Sequence, residues 1–343
     1  MTRHFRIRLL RGCTLAALAG LIAAPASAQE VNLYTTREPG LMKPLLDAFT
    51  RTTGIRVNSI FVTDGLPERV AAEGARSPAD VLMTVDLGNL LDLVDRQLTQ
   101  PIQSVVLERA IPANLRGADG QWFTLSLRAR VLYGAKDLPL SSFTYEQLAD
   151  PAWMDKVCIR AGQHPYNTAL IAAHMAHHGE ARTEAWLRGL KANLGRTAAG
   201  GDRDVARDIM GGICDIGVGN SYYVGLMRSG AGGPDQEKWG AAIKVLLPTF
   251  QGGGTHVNIS GAAVARHSPN RAAAVRFLEY LVSDEAQKIY AEANFEYPVK
   301  AGAAVHPIIA ALGTLQIDSI QLTEIARHRT AASRLVDKVG LDD

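Results

Sequence analysis

The chain has 343 residues, of which 47% are apolar, 20% charged and only 6% aromatic. That length suits about two domains or one large divided domain, and the composition excludes a disordered, collagenous or disulfide-stapled chain. No apolar run reaches the roughly 18–20 residues needed to span a bilayer, and a formal charge of only +2 gives no field for a polyanionic partner.

Even that small positive charge belongs to the first segment. Arg3, Arg6, Arg8 and Arg11 precede any acid, an apolar stretch runs from Leu15 to Pro25, and Ala26-Ser27-Ala28 ends it. This is the basic, apolar, A-x-A order of a secretory signal peptide over residues 1–28, with cleavage after Ala28. The remaining chain carries 32 basic and 34 acidic residues, a net −2, so nucleic acid loses its electrostatic support as a partner. Cys13 lies ahead of the apolar core, which is the wrong place for a lipid-anchored cysteine. Cys158 and Cys214 remain. In an oxidising compartment an even pair is usually a disulfide, here closing a long loop; the alternative is two buried thiols on neighbouring strands.

Val31–Thr36 alternates and reads as a strand. Pro39 then opens a helix striped by Leu41, Leu45, Leu46 and Phe49, and Gly54 stops it. Strands follow at Ile55–Val62 and Val81–Val85, and Asp86–Val94 turns helical. This βαβα order predicts a mostly parallel sheet covered by helices. Phe123–Tyr133 is a further strand. A second series comprises a strand at Lys156–Arg160 and helices at His164–His178, Thr183–Leu194 and Asp202–Met210. It continues with a strand at Cys214–Gly219, a helix at Asn220–Arg228 and a strand at Ala241–Leu247. The Gly-rich turn Gln251–Gly254 precedes a strand at His256–Val264. Arg271–Asn294 is a long amphipathic helical region, and the chain is helical again after Pro307. Two such series predict two α/β lobes flanking a cleft, able to close on a ligand by hinge motion.

In open α/β sheets ligands sit beyond the carboxyl ends of the strands. Three strand-to-helix junctions qualify: Thr36–Pro39, Gly162–Asn167 and Gly219–Tyr223. The last two place Tyr166, Tyr222 and Tyr223 in the first turn of a helix, where free N–H groups and the dipole favour an anion such as phenolate. A phenol of pKa about 10 stays neutral unless something strongly stabilises its anion. A hard trivalent cation such as Fe³⁺ does so, and three phenolates would balance its charge. From spacing alone, ordinary cleft or surface aromatics are the commoner reading.

Several segments carry a resemblance: Leu33–Pro39, Asp80–Leu90, Leu127–Arg130, His164–Asn167, Gly219–Val224 and Gly254–Gly261. Over essentially the whole chain beyond residue 28 they resemble, in order, the periplasmic ferric-iron-binding proteins of bacterial ABC transporters. The resemblance implies a type II periplasmic-binding-protein fold, α/β and two-lobed with an interlobe cleft. Its expected lobes are residues 29–126 with 252–305, and 127–251 with 306–343. It further implies a monomeric periplasmic protein that binds ferric iron or a ferric chelate and hands it to an inner-membrane permease. Tyr166, Tyr222 and Tyr223 would be the iron ligands. Arg128, with Arg37 as a second candidate, would lie near the metal or a synergistic anion such as carbonate. Some relatives place His, or His then Tyr, where Glu38-Pro39 stands, and others a Glu where Val85 stands. The first lobe is therefore expected to lend no Tyr or His ligand, with Glu38 a minor candidate.

Other signals carry less. His174, His177 and His178 share one helical face but lack a completing ligand, so a solvated helix C-terminus is expected. Gly252–Gly254 lacks the Lys-Ser/Thr of a phosphate-binding loop and suits an interlobe hinge. Asp92, Asp95 and Glu108 read as solvated helical positions, and no nucleophile elbow occurs. An enzyme, including an exported metal-dependent hydrolase built on the His-rich helix, has no support. The competing reading is a small-anion binder clamped by Arg37, Arg128 and Arg130, with the tyrosines as walls.

Overall fold

The computed structural model describes residues 1–2 and 30–343; the expected signal segment, with Cys13, lies outside the described residues. Among these, ten strands occur: β1 (Glu30–Thr35), β2 (Arg56–Phe61), β3 (Val81–Thr84), β4 (Thr99–Gln100), β5 (Phe123–Ala135), β6 (Val157–Cys158), β7 (Ile216–Asn220), β8 (Ile243–Leu246), β9 (Val257–Ala265) and β10 (Tyr297–Pro298). They join in the order β2-β1-β3-β9-β5-β7-β6, with β4 on β9 and with β8 and β10 on β5.

The first unit follows the sequence pattern closely. β1 lies between β2 and β3, both parallel to it, and β3 is buried along its length. The helix Pro39–Thr53 has Pro at its first position and ends on Gly54 at φ 73°, whose N–H donates to the Thr50 carbonyl. Its buried face is Met42, Leu45, Ala48 and Phe49, so Leu41 and Leu46 flank the expected stripe. Phe49 meets Phe277 at 4.9 Å and Tyr280 at 5.3 Å between ring centroids.

The mostly parallel sheet is corrected to a mixed one. Only β1–β2, β1–β3 and β6–β7 run parallel, whereas β9 meets β3, β4 and β5, and β5 meets β7, β8 and β10, all antiparallel. The reason is long-range: the chain crosses the sheet on β5 and returns on β9, and two crossings in opposite senses pair antiparallel. The division falls within β5. Phe123–Ala129 pairs with β9, and Arg130–Ala135 pairs with β7 and β8.

Other departures are local. Helices Leu66–Glu73, Val105–Ala110 and Pro234–Ala242 were not legible as such, and the last takes Ala241 and Ala242 from the expected strand. The long region after Arg271 splits into Arg271–Leu281 and Asp284–Asn294, because Ser283 caps the second helix by accepting from the Ala286 N–H. Cys158 and Cys214 are joined as a disulfide with Cα atoms 5.8 Å apart, closing a separation of 56 residues. On the chain-entropy account a loop of that size removes about 4 kcal/mol of unfolded-state freedom.

Gly219, on β7, lets the Tyr133 ring lie directly against the backbone, and the Tyr133 hydroxyl donates to the Asn220 carbonyl at 2.8 Å. A Cβ there would overlap the ring. Gly219→Ala should therefore destabilise the protein by about 1–3 kcal/mol of overpacking, read by urea denaturation; unchanged stability would contradict this packing.

Candidate metal centre

Two helix starts build the site. The helix Pro165–His178 begins with Pro165, and His164 caps it by accepting the Tyr166 N–H at Nδ1, 3.2 Å away. The helix Ser221–Arg228 follows directly on β7. The buried Ser221 hydroxyl accepts the Ala129 N–H at 3.2 Å, anchoring that start to β5. Tyr222 and Tyr223 thus occupy the second and third helical positions, and Tyr166 the second position of the other helix. The phenolic oxygens of Tyr166 and Tyr222 are 3.5 Å apart, and the rings of Tyr222 and Tyr223 lie 4.1 Å apart between centroids, tilted by 36°. All three side chains are half-buried.

Behind the tyrosines is a fully buried polar frame. Arg130 Nη1 donates to Asp202 Oδ2 at 2.6 Å and to Asn220 Oδ1 at 3.2 Å, and its Nη2 donates to Asn167 Oδ1 at 2.6 Å. Asp202 also accepts the Asn220 N–H at 2.8 Å and faces Arg160 at 3.4 Å. Asn167 follows Tyr166, and Asn220 lies two residues before Tyr222, so one guanidinium–carboxylate pair grips both helix starts.

Three guanidinium groups stand by the phenols, with the Asp202 carboxylate behind them. Arg128 and Arg160 stand 5.7 and 5.0 Å from the Tyr166 ring centroid, and Arg203 stands 5.4 Å from that of Tyr223. Even so, burial pushes the Tyr222 phenol well above its ordinary value, helped by Tyr166 and Tyr223 and opposed by Arg128. Burial, followed by the neighbouring Tyr166, likewise raises Tyr223. Tyr222 and Tyr223 are therefore held as neutral phenols, and a ligand gains their anionic oxygens only by displacing the protons. That is the chemistry of a hard cation.

The remaining predicted residues separate. Arg128 donates through Nη2 to the carbonyls of Val85 and Ile259, lying beside the tyrosines while tying β5 to the end of β3. Arg37 is buried and committed: its Nη2 donates to Glu296 at 2.7 and 2.9 Å and to Ser260 Oγ at 2.5 Å. Glu38 is exposed at the start of its helix and makes no capping bond.

The comparisons with known proteins bear on this arrangement. A family model for bacterial extracellular solute-binding proteins matches residues 34–288. The chain belongs to that family. The Synechocystis protein named iron uptake protein A2 is 40% identical over 92% of this chain and 91% of its own length. A Bordetella ferric binding protein of solved structure is 64% identical, covers 92% of this chain and 100% of its own, and superposes with a TM-score of 0.89. A Trichodesmium protein in complex with iron and citrate ligands is 40% identical, with 91% and 99% coverage and a TM-score of 0.86. The fold is accordingly the two-lobed α/β fold of the type II periplasmic binding proteins, with a cleft between its lobes.

The His-rich face needs correction. It is not a solvated helix end, because tertiary partners cover it. His174 is buried, stacks on Trp186 at 4.4 Å and bonds Thr183 at 2.8 Å, and burial pushes it down to about 3. His177 pairs with Asp318 and His178 with Glu146, each at 2.7 Å. Among the described residues no group of three His, Cys, Asp or Glu side chains is placed to hold a metal. Asp202, Asn167, Asn220, Arg160 and Glu296 were not singled out by sequence reasoning. Asp202 follows Gly200-Gly201 and reads as an ordinary acid in a helix's first turn; only the fold turns it inward.

Asp202→Asn leaves Arg130 without its buried counter-charge. Removing one partner of such a pair costs about 3–5 kcal/mol, so the variant should melt at a clearly lower temperature in calorimetry, and an unchanged Tm would show the frame to be dispensable.

Proposed function

We propose that this protein binds ferric iron through Tyr166, Tyr222 and Tyr223 in the periplasm and delivers it, as a monomer, to an inner-membrane ABC permease. The observation that carries the proposal is the convergence of three phenols, from two helix starts, at a half-buried point ringed by guanidinium groups. Three phenolates match a trivalent charge, and the cost of ionising them in a buried site is met only by a cation that binds oxygen anions strongly. Family membership and the ferric-binding relatives support the cargo, the compartment and a transport role in place of catalysis. No helix among the described residues is long and apolar enough to cross a membrane.

The same proposal divides the chain into residues 29–126 with 252–305 and residues 127–251 with 306–343, hinged where β5 and β9 cross. The packing of the C-terminal helices Leu322–Arg327 and Arg329–Val339 on Pro165–His178 supports placing that end with the tyrosines. All three ligands then belong to one lobe, so iron loads the open form and closure follows. A carbonate-sized anion beside Arg128, which stands 5.7 Å from the Tyr166 ring, would complete the coordination.

A small-anion clamp is the weaker reading. Glu296 neutralises Arg37, Asp202 neutralises Arg130, and two carbonyls occupy Arg128, so little free positive charge remains for an anion alone.

Titration with ferric citrate should give a visible tyrosinate-to-iron charge-transfer band. Tyr222→Phe or Tyr223→Phe should remove the band and weaken binding by more than the roughly 100-fold typical of outer-shell changes. Glu38→Gln should leave affinity unchanged. Equal damage from Glu38→Gln would place the metal across both lobes.

The pH dependence follows in sign. Because the Tyr222 and Tyr223 phenols are held above their ordinary value, each releases a proton when it coordinates. Ferric affinity should therefore fall steadily as pH drops, with uptake of iron acidifying an unbuffered solution. A band that persists at constant affinity into strong acid would exclude tyrosinate ligation.

A further inference from the structure

The disulfide stands in a particular relation to the tyrosines. Cys158 ends β6 and lies eight residues before Tyr166; Cys214 lies just ahead of β7 and eight residues before Tyr222. The bond therefore joins the roots of the two strand-to-helix units that present the phenols. Beside the disulfide, the Asp215 and Ile216 N–H groups donate to the Lys156 carbonyl, and Asn193–Gly195 flanks β6 on its other side. β6 itself is two residues long, in register with β7 at Val157–Ile216 and Cys158–Gly217. Further along, each unit is held again by the Arg130–Asp202 frame, at Asn167 and at Asn220. Each tyrosine-bearing segment is thus fixed at two points, one covalent and one polar.

We propose that the Cys158–Cys214 disulfide is a positioning device for the metal centre: it fixes the separation of the two helix starts so that the Tyr166 and Tyr222 oxygens stand at ligating distance. This rests on the tyrosinate reading above. The physical argument is one of freedom. The strand pairing with β7 stops at Cys158, eight residues short of Tyr166, and a shift of that segment moves Tyr166 while Tyr222 and Tyr223 stay with β7. A hard cation needs all three oxygens at once, so a loosely held third ligand lowers affinity even when the fold survives. The bond is buried at both ends, with Cys158 0% and Cys214 3% exposed, which protects the clamp from exchange with solvent thiols.

The test uses the full-length exported protein. Cys158→Ala/Cys214→Ala would be compared with wild type and with Leu45→Ala, a cavity variant in the helix Pro39–Thr53 chosen to lower Tm by a similar amount. Ferric affinity by competition with citrate should fall about 10-fold or more in the double variant, within the range seen when outer-shell support is lost, and the charge-transfer band should shift. Leu45→Ala should keep wild-type affinity and band. Equal affinities and identical bands in wild type and the double variant would overturn the proposal, as would an equal loss in Leu45→Ala, which would make the effect one of stability. A second arm titrates gallium(III), which is redox-inert, into wild type before and after reduction by a phosphine, carried on until thiol titration counts two free thiols in the folded protein, following the ultraviolet signal of tyrosinate. Weaker gallium binding after reduction supports the clamp, and unchanged binding refutes it, even if the double variant fails to fold. Failure of wild type itself to bind ferric iron would refute the tyrosinate reading separately.

Discussion

The buried pair between Arg130 and Asp202 is the interaction on which the site depends. Neither charge reaches water, so each must be satisfied inside the protein, and the groups that satisfy them come from the two helix starts bearing the tyrosines. Arg130 lies on β5, Asn167 beside Tyr166, and Asn220 at the end of β7. A buried ion pair contributes little net stability, because desolvation offsets most of its attraction. Its value here is geometric, since only one arrangement of the surrounding elements leaves no buried charge unpaired.

The second constraint is the pair of crossing strands. β5 and β9 are buried almost throughout, and both halves of the sheet hang from them. Arg128, on β5, donates to the carbonyl of Val85 across from β3 and to Ile259 on β9, while Arg37, after β1, is held by Glu296 and Ser260. Arg128 and Arg37 are therefore structural ties between elements, and Arg128 is with Arg160 and Arg203 a source of positive potential beside the tyrosines. Their charge lowers the cost of forming phenolates without itself being able to bind a cation.

A cluster of phenols behaves differently from one of carboxylates. Carboxylates would be ionised at neutral pH and would attract abundant divalent cations. Phenols remain protonated until a cation arrives whose bond to oxygen outweighs both desolvation and mutual repulsion. Under the proposed function, selectivity for a hard trivalent ion would follow from the choice of side chain, and release from whatever restores the protons.

Much was legible in the sequence because it is local. Pro39 and Gly54 bound a helix through their own backbone preferences, and Asp202–Met210 has the bounds its pattern suggests. The tyrosines could be read as a set because each occupies the first turn of a helix after a strand, a position with a fixed electrostatic character. The family resemblance then joined segments that spacing could not. What only the tertiary structure decided are the pairings between distant residues. The direction of β5 against β9 depends on where the chain crosses, and the partners of the three histidines come from residues 141, 32 and 9 positions away. Asp202 looks like any helix-start acid until the fold buries it against Arg130. Side-chain type and spacing determine which chemistry is available; which groups meet, and which charges must be paired out of water, is settled by long-range packing.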